Sequence, residues 1–389
     1  MSLLIALLLL QSSPDVVVTA QRLKAAQQRC ERQQCSTLED ARVSIATAES
    51  YFRDGRYLDA KRLLARALSR NKAAAAVAPR PVAAIYEAYA TVALHEGDLR
   101  AYRRGVAGQV HTLRDHLPAD DPAVASAGPA LGDMWVKLGK YVEAESVYAA
   151  AQRAATAAGQ DRAALLVGFR RIGVASALGG PSRATRLLDQ LDANPVAAEP
   201  EMRKVLRVLR LQVAARQADE ATMKALAREI AIDQADKPVL LWSRPFEDVS
   251  VGSINRENLR FSPATTFPDR SEDITPVQWL DVGFWIRPDG RTDQAEVLRS
   301  SGSLLWKPAI LAQIATRQYA ALSVSAGADP HLGGIYRIER ISKRLEYRTP
   351  LKSLIPRRLP ASGFEVINLT EGDARVANAE RTDRMPGMP

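Results

Sequence analysis

Gly55, Gly97 and Gly139 stand 42 residues apart, and this fixed spacing limits the fold more than any other feature of the 389-residue chain. A constant period of this length is the signature of one supersecondary unit repeated along the chain. Each glycine is followed by a polar residue and then by Tyr57, Leu99 or Tyr141. Seven positions before the glycines stand the small residues Ala48, Ala90 and Gly132, and four before stand Tyr51, Ala93 and Trp135. Five after come Ala60, Tyr102 and Ala144, nine after Leu64, Val106 and Tyr148, and twelve after Ala67, Gln109 and Ala151. The middle copy is the most degenerate.

The physical unit behind the pattern is a helical hairpin. Glycine takes the left-handed conformation that ends the first helix, and small residues let the two helices cross closely. Leu131, Gly132, Trp135, Gly139, Tyr141, Ala144, Tyr148 and Ala151 resemble the tetratricopeptide repeat, with Ala48, Tyr51, Gly55, Tyr57, Ala60, Leu64 and Ala67 nearly as close. The long period and the segment Asp121–Ala125 are similar to the kinesin light chain variant of that repeat. A weaker copy centres on Gly179, with Ala184, Leu188 and Leu191 in register, and a fifth helix pair without the glycine follows at 201–233. A solenoid over residues 21–236 is therefore expected. Each hairpin leaves an apolar face bare until a neighbour covers it, so at least three copies must stack. The resemblance implies a groove that binds a protein or peptide.

Residues Leu3 to Leu10 form a short apolar run. Eight helical residues span roughly 12 Å, well below the ~30 Å of a bilayer core. The run reads as the apolar part of an export signal over residues 1–20, with Val18-Thr19-Ala20 as the cleavage site; a buried first helix is the other reading. Cys30 and Cys35, the only cysteines, would face apart on one continuous helix, but Thr37-Leu38-Glu39-Asp40 resembles a helix start that breaks it. A disulfide between Cys30 and Cys35 that pins the first helix is the favoured reading in an exported chain, with free thiols as the alternative.

Beyond Pro238 alanine thins out, four of the five tryptophans appear, and alternating patterns replace the helical period. Residues 237–275 read as a connector with room for one strand. Leu280, Val282, Phe284 and Ile286 alternate with Asp281, Gly283 and Trp285, Pro288-Asp289-Gly290 turns, and Gln294 to Arg299 alternates again, which predicts a β-hairpin. Trp306 to Arg317 reads as a helix with Pro308 in its first turn and Ile310, Leu311 and Ile314 inward, and Ile335 to Tyr347 as a long strand. Through Phe284-x-Ile286, Pro288-Asp289-Gly290-Arg291, Val297 and Ser300-Ser301-Gly302, residues 276–370 resemble the C-terminal domain of TonB-type energy transducers. That resemblance implies a periplasmic domain which captures a peptide by strand addition. The chain shows neither the inner-membrane anchor nor the Pro-rich spacer of a working transducer, so a transducer would borrow its anchor from a partner. Residues 371–389 read as a flexible tail.

The net charge of +9 is spread thinly, and its densest cluster runs from Arg337 to Arg358, read as a solvated strand face or an anion-binding surface. His95, His111, His116 and His331 fit no metal spacing and read as solvated. There is no nucleophile elbow or phosphate loop; Gly179-Gly180-Pro181 reads as a helix-ending turn, and Asp120-Asp121 before Pro122 as a helix start. No basic platform with interleaved aromatics points to nucleic acid. With 47% hydrophobic and 25% charged residues, a soluble globular chain is expected. The whole predicts a mainly α protein: a helical-hairpin solenoid followed by a smaller α+β domain with an antiparallel sheet. It predicts no catalytic, cofactor-binding or metal site, no cofactor, and only indirect membrane contact. The function this implies is an exported, periplasmic adaptor for protein or peptide partners, including cell-envelope proteins. The alternatives are a TonB-type transducer component acting on outer-membrane receptors, and an enzyme with an unrecognised site in its C-terminal region.

Overall fold

The computed structural model describes residues 14–214, 238–244, 246, 277–320, 334–348 and 357–370. The apolar run Leu3–Leu10, the second member of the fifth helix pair, most of the connector, His331 and the tail lie outside the described residues. The first nine helices are α1 (Pro14–Glu31), α2 (Thr37–Arg53), α3 (Tyr57–Asn71), α4 (Pro79–Glu96), α5 (Leu99–His116), α6 (Pro122–Lys137), α7 (Tyr141–Ala157), α8 (Asp161–Asp192) and α9 (Pro200–Ala214). Among the described residues α2–α3, α4–α5 and α6–α7 form tetratricopeptide-like hairpins, and α8, broken at Gly179–Gly180, forms a fourth.

The three spaced glycines do what their spacing implies: Gly55, Gly97 and Gly139 have φ of 75°, 85° and 70° between α2 and α3, α4 and α5, and α6 and α7. At Gly55 and Gly139 the following amide closes a six-residue cap, Arg56 to Tyr51 O at 2.8 Å and Lys140 to Trp135 O at 2.8 Å. The fourth hairpin departs by one residue. Gly180, with φ of 71°, is its left-handed residue, while Gly179 keeps a negative φ of −139° with ψ of 16°. Ala184, Leu188 and Leu191 are buried as the register requires, and Pro181 can start the next helical segment because its missing N–H falls in a first turn.

By Cα proximity the chain divides into two compact units, Met1–Ala93 with Arg100–Val124, and Leu94–Leu99 with Ala125–Pro389. In the first, a Cβ on Gly105 would come 2.8 Å from that of Ala90, so α4 and α5 touch closely there. Phe52 and Tyr57 meet edge to face across the α2–α3 turn, centroids 4.9 Å apart. Ser36, one residue before the anticipated start, caps α2 by accepting from the Glu39 amide at 3.2 Å. In the second unit Tyr148 packs onto Gly132, where a Cβ would lie 2.2 Å from its ring. Leu165, Phe169, Ile172, Leu188, Met202 and Leu206 form the core that joins α8 to α9. Asp121 accepts from the Ala123 amide at 2.8 Å and so starts α6 as read from the sequence.

Among the described residues the second unit also holds α10 (Lys307–Ala315) and six strands: β1 (Leu240–Trp242), β2 (Trp279–Ile286), β3 (Thr292–Ser300), β4 (Gln318–Tyr319), β5 (Ile335–Arg348) and β6 (Arg357–Asn368). β1 and β4 form a small antiparallel pair, and the main antiparallel sheet runs β3-β2-β5-β6. One face of β2, from Leu280 through Val282 and Phe284 to Ile286, packs on Trp306, Ile310 and Ile314. Strand, turn, strand, helix and strand thus follow in the anticipated order. β6 is the longest element that the sequence pattern did not announce. It carries Pro360 and Gly363, residues depleted from central strands, and it occupies the sheet edge where proline is tolerated.

Candidate interaction surfaces

Where α6, α7 and α8 meet, the second unit has a depression of about 370 Å³, lined by Asp133, Val136, Tyr141, Tyr148, Arg170, Gly173, Val174 and Ala177. Its buried wall comes from the repeat itself, since Tyr148 lies against Gly132 and must point its hydroxyl toward the next residue, Asp133. Asp133 accepts from Tyr148 with one oxygen and from Arg170 with the other. Burial pushes the Tyr148 phenol well above its ordinary value, and the bond to Asp133 adds to this, so the group stays a donor. The rest is apolar. Gly173 lies in the middle of a helical run, yet a Cβ placed there would meet nothing within 4 Å. Beside the depression Tyr141 and Val142 are exposed at 39% and 68%.

Sequence reasoning missed this group because Asp133, Tyr148 and Arg170 lie far apart in the chain. Its signal was present in the repeat register, which places the small Gly132 and the bulky Tyr148 at recurring positions of one copy.

The second candidate surface is the main sheet's edge. β5 is covered on both sides, by β2 and by β6, whereas among the described residues β3 pairs only with β2. Its outward edge therefore carries main-chain groups with no strand against them among those residues, the arrangement that accepts an added strand.

The basic cluster turns out to be neither a solvated face nor an anion site over its described part. Arg340 is 0% exposed, donates to Asp281 at 2.6 and 2.9 Å, and stacks 3.9 Å from the centroid of the Trp279 ring. Arg344 donates to Glu365 at 2.6 Å, Lys343 is buried near the Phe364 ring, and Arg337 lies 2.8 Å from Glu339. Their acidic partners are distant in sequence except for Glu339 and are brought opposite by strand pairing, so a count of local charge could not find them.

His95 corrects a second expectation. It is buried, not solvated, with Nδ1 3.1 Å from Ser342 Oγ on β5. Burial, with Lys137 and Arg340 nearby, pushes its pKa down to about 4 against the opposing pull of Glu365. Lys137 at the end of α6 pairs with Glu365 on β6, so within the second unit the ends of repeat helices meet the sheet. His111 and His116 are exposed on α5.

Cys30 and Cys35 are joined in the structure, with Cα atoms 5.0 Å apart across the break at Gln33, whose φ is 60°. Asp40 brings a carboxylate oxygen within 4.8 Å of both sulfurs, a neighbour that spacing alone did not reveal. That carboxylate is already engaged. Arg70 donates to it at 2.7 and 2.9 Å and Asn71 at 2.6 Å. Burial alone would raise its pKa, but these bonds and the one from Ser44 prevail and hold it below the ordinary value.

No family model matches the chain, and no curated protein does. Two crystal structures of nearly identical TPR-like repeats from a Podosopora anserina kinesin light chain, one with a point substitution, are similar to it at 14% identity. Each match covers 50% of this chain and 94% or 95% of the other, with a TM-score of 0.39. The repeat assignment rests on the left-handed glycines and the buried register residues.

Proposed function

We propose that this chain is an exported adaptor, which holds protein or peptide partners on its helical repeats and performs no chemistry of its own. The observation that carries this reading is the depression between α6, α7 and α8, which combines an apolar floor with a fixed acid–base pair at its rim. Such a mixture suits recognition of another chain. The open side of β3 supports a second contact by strand addition, in keeping with the TonB-type resemblance of residues 276–370. The apolar run at Leu3–Leu10 supports export to the periplasm, and a Cys30–Cys35 bridge suits an oxidising compartment.

The test uses the full chain in its own cells, with a photo-crosslinking residue at Ala177 in the depression or at exposed Arg203 on α9. Discrete adducts at Ala177 and none at Arg203 are expected. Equal labelling at both, or none at Ala177, would count against the adaptor. Export is tested separately by thiol labelling in intact cells. Cys30 and Cys35 should react only after reduction, and two freely reactive thiols would overturn the oxidising location.

A further inference from the structure

We propose that the second helices of the first two hairpins, α3 and α5, form a basic face by which the protein adsorbs directly to an anionic phospholipid surface, with the turn after α3 as its apolar contact. This contact does not depend on the adaptor reading. Three observations carry it.

The first is register. The densest basic run of the sequence is neutralised over its described part, whereas charges spread along the chain gather here. Lys61 and Arg103, Arg62 and Arg104, and Lys72 and Arg114 each stand 42 residues apart, the period of the repeat. Equivalent positions of stacked hairpins fall on one side of the array. Arg62, Lys72, Arg103, Arg104 and Arg114 are all exposed. The next copy has Glu145, Ser146 and Thr156 at these places, so the basic pattern stops with the second hairpin. The sequence pointed only to indirect membrane contact because residues so far apart form no visible cluster.

The second is charge. Together α3 and α5 carry eight Lys and Arg residues against Asp59 and Asp115, and Asp59 is already paired with Arg56 at 2.8 Å. Among the described residues no ion pair engages Arg62, Lys72, Arg104 or Arg114. Each Lys or Arg brought close to an anionic lipid surface strengthens binding roughly fivefold.

The third is the turn. Ala73-Ala74-Ala75-Ala76-Val77-Ala78 follows directly on Lys72, and Val77 is 90% exposed, more than any other large apolar residue among those described. An apolar tip beside basic side chains suits the boundary between lipid headgroups and acyl chains. Single-stranded nucleic acid would call for exposed rings on which bases stack, and Tyr57 and Tyr102, the aromatic residues of α3 and α5, are buried.

The experiment is co-sedimentation of the full chain with vesicles of phosphatidylcholine alone and of phosphatidylcholine mixed with phosphatidylglycerol. Binding to the mixed vesicles only is expected, and it should fade as salt shortens the Debye length toward ~3 Å near 1 M. Replacing Arg62, Lys72, Arg104 and Arg114 together by Gln should weaken binding roughly a hundredfold or more, with an unchanged melting temperature because all four are exposed. Should that variant melt lower, Lys72→Gln alone, just outside α3, should still cost roughly fivefold. Val77→Ser should weaken binding severalfold. A matched variant with the same loss of charge on exposed residues elsewhere, Arg183→Gln, Arg186→Gln, Arg203→Gln and Lys204→Gln, should bind as the parent does. Equal weakening by the two quadruple variants would assign binding to net charge and overturn the proposal, as would binding to neutral vesicles or none to the mixed ones. Binding unmoved by Val77→Ser, or an acidic protein or DNA duplex that outcompetes the mixed vesicles, would overturn lipid as the partner.

Discussion

At Gly132 and Gly173 the same substitution should have opposite effects, because one glycine is surrounded and the other is not. Gly132→Ala would drive a methyl to 2.2 Å from the Tyr148 ring and should destabilise by about 1–3 kcal/mol, the range for overpacked cores. Gly173→Ala meets open space and should stabilise by up to about 1 kcal/mol through helix propensity. Thermal melts of the two variants beside the parent check the pair; movement in the same direction would mean that one site has been misread.

His95 makes a pH-dependent statement. Its folded pKa of about 4 lies below the unfolded value of 6.5, so as pH falls the unfolded chain takes up the proton first. Stability from this group is complete above pH 6.5 and is lost progressively down to about pH 4, by roughly 3 kcal/mol in total. The groups facing it, Ser342, Lys137, Arg340 and Glu365, stay in place in a His95→Gln variant. Urea unfolding at pH 7, 5.5 and 4 should show a steeper loss in the parent than in that variant. Parallel pH profiles would show that His95 takes up its proton equally in both states.

At the scale of elements, the pairing of β2 with β5 sets Asp281 opposite Arg340, beside the Trp279 ring. Arg340 is wholly buried, so removing Asp281 takes away the carboxylate that faces its charge, and Arg299 loses the same acceptor. Asp281→Ala should cost about 3–5 kcal/mol, whereas replacing both residues by apolar ones of similar size should cost much less. Denaturant titration of the single and double variants decides this; an Asp281→Ala loss below 1 kcal/mol would mean that solvent reaches the guanidinium.

Much at this scale was legible in the sequence, and the reason is periodicity. Glycines at a constant interval fix where hairpins turn, and alternation in Leu280–Ile286 fixes which face of β2 meets α10. The rest lacked a local signature. β6 carries residues disfavoured in strands and pairs along the edge of β5. Gly180 replaced Gly179 as the left-handed residue because two adjacent glycines allow either, and Pro181 restricts the residue before it to an extended ψ, which Gly180 adopts at −176°. The Asp133–Tyr148–Arg170 group and the burial of His95 depend on contacts between separate helices and strands, which one-dimensional spacing does not encode.

At the scale of the whole molecule, composition marks the change from helices to sheet near residue 237, while compactness divides the chain near residue 124. The two boundaries differ because Lys137 and His95, on helices, meet Glu365 and Ser342 on strands, and so tie the later repeats to the sheet within one unit. A partner held in the α6–α8 depression would therefore rest on the same compact body as β3, which among the described residues pairs only with β2. The repeats, and this depression in particular, are the surface proposed to hold the partner. Hydrogen–deuterium exchange of the full chain, with and without the partner captured at Ala177, tests it most directly. Protection is expected over Asp133–Val136 and Arg170–Ala177. Protection confined to the strands, or no change in α6 and α8, would contradict it.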